Sequence, residues 1–233
     1  MARSLDSQVQ LLDLSRDAMT RLSRQSRIVQ PLLLSKHLCE CDVLISLSKI
    51  KTHRLTGFSG ALKNHFGLLP DPDKQKYHPF LAEVIADLIQ ARPADMYILD
   101  GNPAMEGAGP VYGSPRTIDT VLVATDPVAI DTTASRLIGL SPGRIRHLRH
   151  AASEGLGCAD PEQIRIVGDL APCEPKFCFI SAGERCLIGA GLGLLRLSWL
   201  LEKLGALLSS GGQPKVVATE LWLAARRRIW HGS

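Results

Sequence analysis

Apolar residues alternate with polar ones at Val43, Ile45 and Leu47, which predicts a short buried strand running into a polar, basic stretch from Ser48 to His53. Thr52, Thr56 and Ser59 are placed to cap a helix that carries Lys63 and Asn64. Further on, Leu81, Val84, Ile85, Leu88 and Ile89 recur at helical spacing while Glu83 and Asp87 fall on the other side, so this segment reads as an amphipathic helix that Pro93 ends. Met96 to Leu99 reads as a strand stopping at Asp100-Gly101, followed by a loop rich in glycine and proline through Pro115. A second strand, Thr120 to Ala124, leads to Asp126-Pro127, the usual N-cap and first position of a helix, here reaching about Ile138. Weaker signals suggest strands at Val9 to Leu12 and Ile164 to Val167, and a helix from Gly143 whose Arg144, Arg146, His147, Arg149 and His150 make a solvated basic face.

This alternation of strands and helices predicts an α/β protein with a layered, largely parallel sheet flanked by helices. We place the α/β domain at residues 1–170. Pro172 and Pro175 then mark a linker into a C-terminal helical extension, 171–233, with an apolar stretch from Cys186 to Leu208 and a basic end at Arg226, Arg227 and Arg228, with Trp230 nearby. Arg196 interrupts the apolar stretch, which is too short for a membrane span. It suits packing or a homodimer first and peripheral membrane contact second.

The strand exits carry the chemistry. Lys49, Lys51, His53, Lys63, Asn64 and Gly67 crowd around one strand end and the helix after it, a pattern that favours a phosphate or carboxylate ligand. In open α/β sheets ligands sit beyond the carboxyl ends of the strands, so Lys49, Asp100 and Asp126 are expected to face one crevice. In the glycine-rich loop, Gly107 and Gly109 would let the backbone approach a ligand closely, and Glu106 sits between them and the strand. His53, Glu106 and Asp131 are the candidate catalytic groups, His53 because an imidazole ordinarily titrates near neutrality. Asp131 lies at the edge of an apolar stripe and needs a partner, either a lysine or a divalent ion, for which Asp100, Glu106 and Asp126 are the further candidate ligands.

Composition narrows the classes. A net charge of +4 over 233 residues and 5% aromatic content do not support a nucleic-acid partner. The N-terminal residues lack a signal-peptide pattern, so a cytoplasmic protein, with membrane association through the extension as the variant, is expected. The cysteines at 39, 41, 158, 173, 178 and 186 match neither a zinc ribbon nor a ferredoxin repeat.

The run from Cys41 to His53, Ala61 to Gly67, Lys74 to His78, Asp100-Gly101, Met105 to Pro110, Gly113 and Thr125 to Asp131 resembles the domain-of-unknown-function 362 family, across roughly residues 40 to 168. That family is often met in iron-sulfur proteins, many of them with ferredoxin-type clusters in an attached Cys-rich module. This chain has no Cys-x-x-Cys-x-x-Cys run, which disfavours a 4Fe-4S cluster. Two functions stay open: binding of a small anion in an α/β cleft, with metal-assisted enzymatic chemistry as its extension, or an iron-sulfur-linked electron-transfer or cluster-handling role.

Overall fold

The structure, a computed structural model, describes residues 9–23, 26, 28–174 and 176–208. Pro175, Arg226, Arg227, Arg228 and Trp230 lie outside the described residues. A small antiparallel ribbon of β1 (Met19–Arg21) and β2 (Leu33–Ser35) leads into α1 (Lys36–Glu40). The main sheet holds β3 (Ile45–His53), β4 (Gly57–Ser59), β5 (Met96–Ala108), β6 (Tyr112–Arg116) and β7 (Val121–Ala124). Helices α2 (Ala61–His65), α3 (Leu81–Ala91), α4 (Pro127–Leu137) and α5 (Arg146–Ser153) accompany it, and α6 (Ala182–Leu208) forms the extension. The α/β class, the flanking helices and the C-terminal helix are therefore as the sequence pattern predicts.

β3 and β5 run parallel at the heart of the sheet, while β4 on one side and β6 and β7 on the other pair antiparallel. The helices bury one face, where Ile50, Tyr97 and Leu99 join Val84, Ile85, Leu88, Val128 and Leu148 in a single core. The five apolar positions expected on the inner face of α3 are all buried.

Val43, Ile45 and Leu47 are not buried: they are 64%, 53% and 66% exposed. Successive strand residues point to opposite faces, and the helices pack on the side of Ser46 and Ile50. The register sets Ile45 beside Met96 and Leu47 beside Ile98, with Val123 next to Ile98, so these side chains share the opposite face.

The glycine-rich segment is a hairpin and not a loop. β5 continues past Asp100 to Ala108 and pairs with β6, Glu106 opposite Ser114. A side chain at Gly109 would place its Cβ 2.2 Å from the Thr52 carbonyl oxygen, so glycine is what lets the hairpin lie against β3. The expected strands at Val9 to Leu12 and Ile164 to Val167 do not form, and Val9, Ile166 and Val167 are exposed.

α6 docks through one side. Trp199 packs against Phe80 with ring centroids 4.6 Å apart, and Arg196 lies over the Phe80 ring while pairing with Glu83. No helix among the described residues is long and apolar enough to cross a membrane.

Candidate functional site

β3 ends in Lys51, Thr52 and His53, and the chain turns into β4 and then α2, which carries Lys63. His53 is 6% exposed, and its Nδ1 accepts the amides of Leu55 at 3.2 Å and Thr56 at 3.4 Å. Those two bonds hold the tight turn and place the imidazole proton on Nε2. Burial pushes its pKa down to about 3, helped by the neighbouring Lys63, His78, His147 and Lys51, so this imidazole is neutral near pH 7 and does not titrate there.

Lys63 is half-buried, its ammonium 4.7 Å from the centre of the Phe66 ring. Burial, then repulsion from Lys51 and Lys74, lowers its pKa to about 8. Among the described residues neither Lys51 nor Lys63 has a carboxylate within ion-pair distance. Lys74 reaches the Gly67 carbonyl at 2.7 Å, close to the same group of cations. Burial also drives His78 to about 4 and His147 to about 3, with Lys63 adding to both. The result is a cluster of ammonium groups, of which Lys51 and Lys63 have no carboxylate partner among the described residues, bordered by neutral imidazoles.

His78 and His147 were not singled out by the sequence pattern. The basic run from Arg144 to His150 predicts a solvated face, yet His147 within it is 1% exposed. The signal was its place four residues before Ala151, on the inward side of α5.

The other predicted site residues serve the scaffold. Lys49 pairs with Asp100 at 2.6 Å, its direct neighbour across the parallel strands, and also donates to the Asn102 carbonyl at 3.2 Å. Asn64 donates to Ser46 Oγ at 3.0 Å and to the Leu47 carbonyl, tying α2 to β3. Gly107 offers its carbonyl to Thr52 Oγ1 at 2.8 Å, and Gly109 its carbonyl to the Arg54 amide at 3.0 Å. Glu106 pairs with Arg116 at 2.9 Å and accepts the Cys178 amide at 3.0 Å, fastening the C-terminal segment to the hairpin.

Asp131 is fully buried and accepts the amides of Ala61 at 2.7 Å and Leu62 at 3.0 Å. Burial raises its pKa to about 7 against the pull of those two bonds. It caps α2 from across the core in place of Thr52, Thr56 or Ser59.

The expected convergence of Lys49, Asp100 and Asp126 does not occur. β7 runs antiparallel to β5, with Asp100 opposite Val121 and Tyr97 opposite Ala124, so Asp126 emerges at the far end of the sheet from Asp100. There it caps α4, accepting the Val128 and Ala129 amides at 2.8 Å each, as the Asp-Pro pattern predicts. With Asp100, Glu106, Asp126 and Asp131 each engaged and separated, these carboxylates do not fit a shared divalent ion. Among the described residues no group of three or more His, Cys, Asp or Glu side chains stands where it could hold a metal. The cysteines are all free thiols.

The family model described as "Domain of unknown function (DUF362)" matches residues 2–136 of the chain. A thylakoid-associated protein of Synechocystis sp. is 32% identical over 144 residues, a stretch covering 59% of this chain and 44% of that protein. The matched stretch thus spans less than half of that relative's length. No solved structure matches.

Proposed function

The chain belongs to the DUF362 family, and from that premise we propose that it binds a small anion, phosphate or carboxylate, between Lys51 and Lys63 at the end of β3. The observation that carries this reading is Lys63: a half-buried ammonium repelled by Lys51 and Lys74 with no carboxylate partner among the described residues. Partial burial of such a charge is unfavourable until an anion joins it. Lys51 and Lys63 supply the charge, and His53, held neutral with its proton on Nε2, supplies a donor whose direction the Leu55 and Thr56 amides set. If a proton moves in this site, Lys63 is the group suited to move it, because its pKa of about 8 lies near neutrality and that of His53 does not.

The test is thermal denaturation in inorganic phosphate against chloride at matched ionic strength. Phosphate stabilises the parent and loses that effect in Lys51→Met and Lys63→Met. Equal phosphate responses in the parent and both variants refute the assignment.

A second reading, attachment at a membrane surface, draws on the relative named for its thylakoid association and on Leu187, Leu194, Leu197 and Leu201, all exposed along α6.

A further inference from the structure

A cavity of about 290 Å³ lies between the β3–β4 turn, the start of α3, the segment entering α5 and the C-terminal extension. Its lining combines the basic side chains Arg54, Arg144 and Arg146 and the imidazoles of His78 and His147 with Phe179 and Leu192 from the extension. Among the described residues Arg54, Arg144 and Arg146 make no side-chain hydrogen bond to Lys51 or Lys63, while His78 and His147 border the cavity and also feel the charge of Lys63.

His147 is the informative residue. It is 1% exposed, it borders the cavity, and neither ring nitrogen has a hydrogen-bond partner among the described residues. A buried imidazole left unpaired on both nitrogens is costly, and a ligand in the cavity would relieve that cost. Charge points the same way. Arg54 and Arg144 have no carboxylate within ion-pair distance among the described residues, and only Arg146 is compensated, by Glu83 at 2.8 Å. α5 begins at Arg146 with Ile145 as its N-cap, so among the described residues no side chain at that position caps its first-turn amides beside the same space.

We propose that this cavity is a second anion site, built for a compact phosphate or carboxylate joined to an apolar group. Arg54, Arg144 and a His147 ring nitrogen take the anionic head, and Phe179 and Leu192 cover the apolar body. The volume is at the small end for ligand sites, which suits an aryl or short alkyl group and excludes a dinucleotide. The assignment is independent of the lysine site, since the two use different cations.

The experiment is a titration of the full chain with phenyl phosphate, benzoate and phenol, followed through the ring resonances of His147, which His147→Leu identifies. Phenyl phosphate or benzoate shifts those resonances saturably, the tighter of the two naming the head group, and phenol binds at least about tenfold more weakly, a difference of roughly 1.4 kcal/mol. Arg54→Met and Arg144→Met, both at positions outside the core, weaken the response about fivefold or more by the same measure. The proposal is overturned if neither anion moves the His147 signals, if phenol matches them, or if both arginine variants respond as the parent does. Loss of response in Lys63→Met with the arginine variants unchanged would assign the signal to the lysine site and overturn the cavity alone.

Discussion

Asp131 on α4 caps α2 through the amides of Ala61 and Leu62, at 2.7 and 3.0 Å, although seventy positions separate Asp131 from Ala61 along the chain. The helix that presents Lys63 is only Ala61–His65 and has Gly60 as its N-cap, with no side chain of its own there. Such a short helix is marginal alone, so the buried carboxylate fixes where Lys63 points.

Removing that cap should cost stability and disorder the site together. Asp131→Ala leaves two buried amides unpaired and is expected to lower unfolding free energy by about 2–4 kcal/mol. Gly60→Ala presses on the same contact, since its Cβ would sit 2.2 Å from Asp131 Oδ1 and 2.7 Å from Phe58, and should cost about 1–3 kcal/mol by overpacking. Urea denaturation checks both; a change within error of zero for either would mean the cap is not holding α2.

Lys49 and Lys63 are both lysines near the β3 exit, but only one is compensated. Because Lys49 has Asp100 at 2.6 Å, Lys49→Met should leave the stabilisation by phosphate intact, whereas Lys63→Met removes it. Lys63 also gives phosphate binding a pH signature. An ammonium with a pKa of about 8 must be protonated to hold an anion, so affinity should fall as pH rises through that value. Calorimetry at pH 7 and pH 9 tests this, and an affinity that drops equally in the parent and in Lys63→Met would assign the effect to another group.

Much of this arrangement was legible in the chain. The five inward positions of α3 and the Asp126 cap follow from local rules, periodicity and the Asp-Pro pair, and both are found as read. What local rules do not carry is the direction of a strand or the face it presents. Alternation at Val43, Ile45 and Leu47 marked one face correctly as apolar but could not say that the helices would cover the other, and the antiparallel course of β7 moved Asp126 away from Asp100. The role of Asp131 was equally out of reach, because its partners lie on a distant helix.

Acid should destabilise the fold through its buried imidazoles. His53, His78 and His147 have pKa values of about 3, 4 and 3 in the folded chain against an ordinary value of 6.5, so between about pH 6.5 and 4 the unfolded chain takes up protons that the folded one refuses. Stability contributed by the neutral rings is thus fully present above pH 6.5 and is lost as pH falls. Asp131, raised to about 7 from 3.8, acts in the opposite sense over nearly the same range, but it is one group against three. Unfolding free energies at pH 7 and pH 5 should therefore decrease with acid, and His147→Leu should make that decrease shallower. An unchanged slope in the variant would show that His147 is protonated in the folded chain.

The exposed face of α6 offers the last test. Leu187, Ala190, Leu194, Leu197 and Leu201 follow one another at intervals of three and four, all exposed, while Arg196 and Trp199 hold the helix to Glu83 and Phe80 from another side. A helix docked on one side can offer the other to a lipid surface or to a second copy. Substituting Leu194→Glu and Leu197→Glu together adds two charges to the outer stripe and leaves the docking contacts in place. If α6 attaches to membranes, the parent chain sediments with anionic vesicles and the double variant does not, with no change in the thermal midpoint. If the parent stays in the supernatant but is dimeric by light scattering, and the variant is monomeric, the stripe is a dimer seam instead; a parent that is monomeric and vesicle-free would leave α6 neither role.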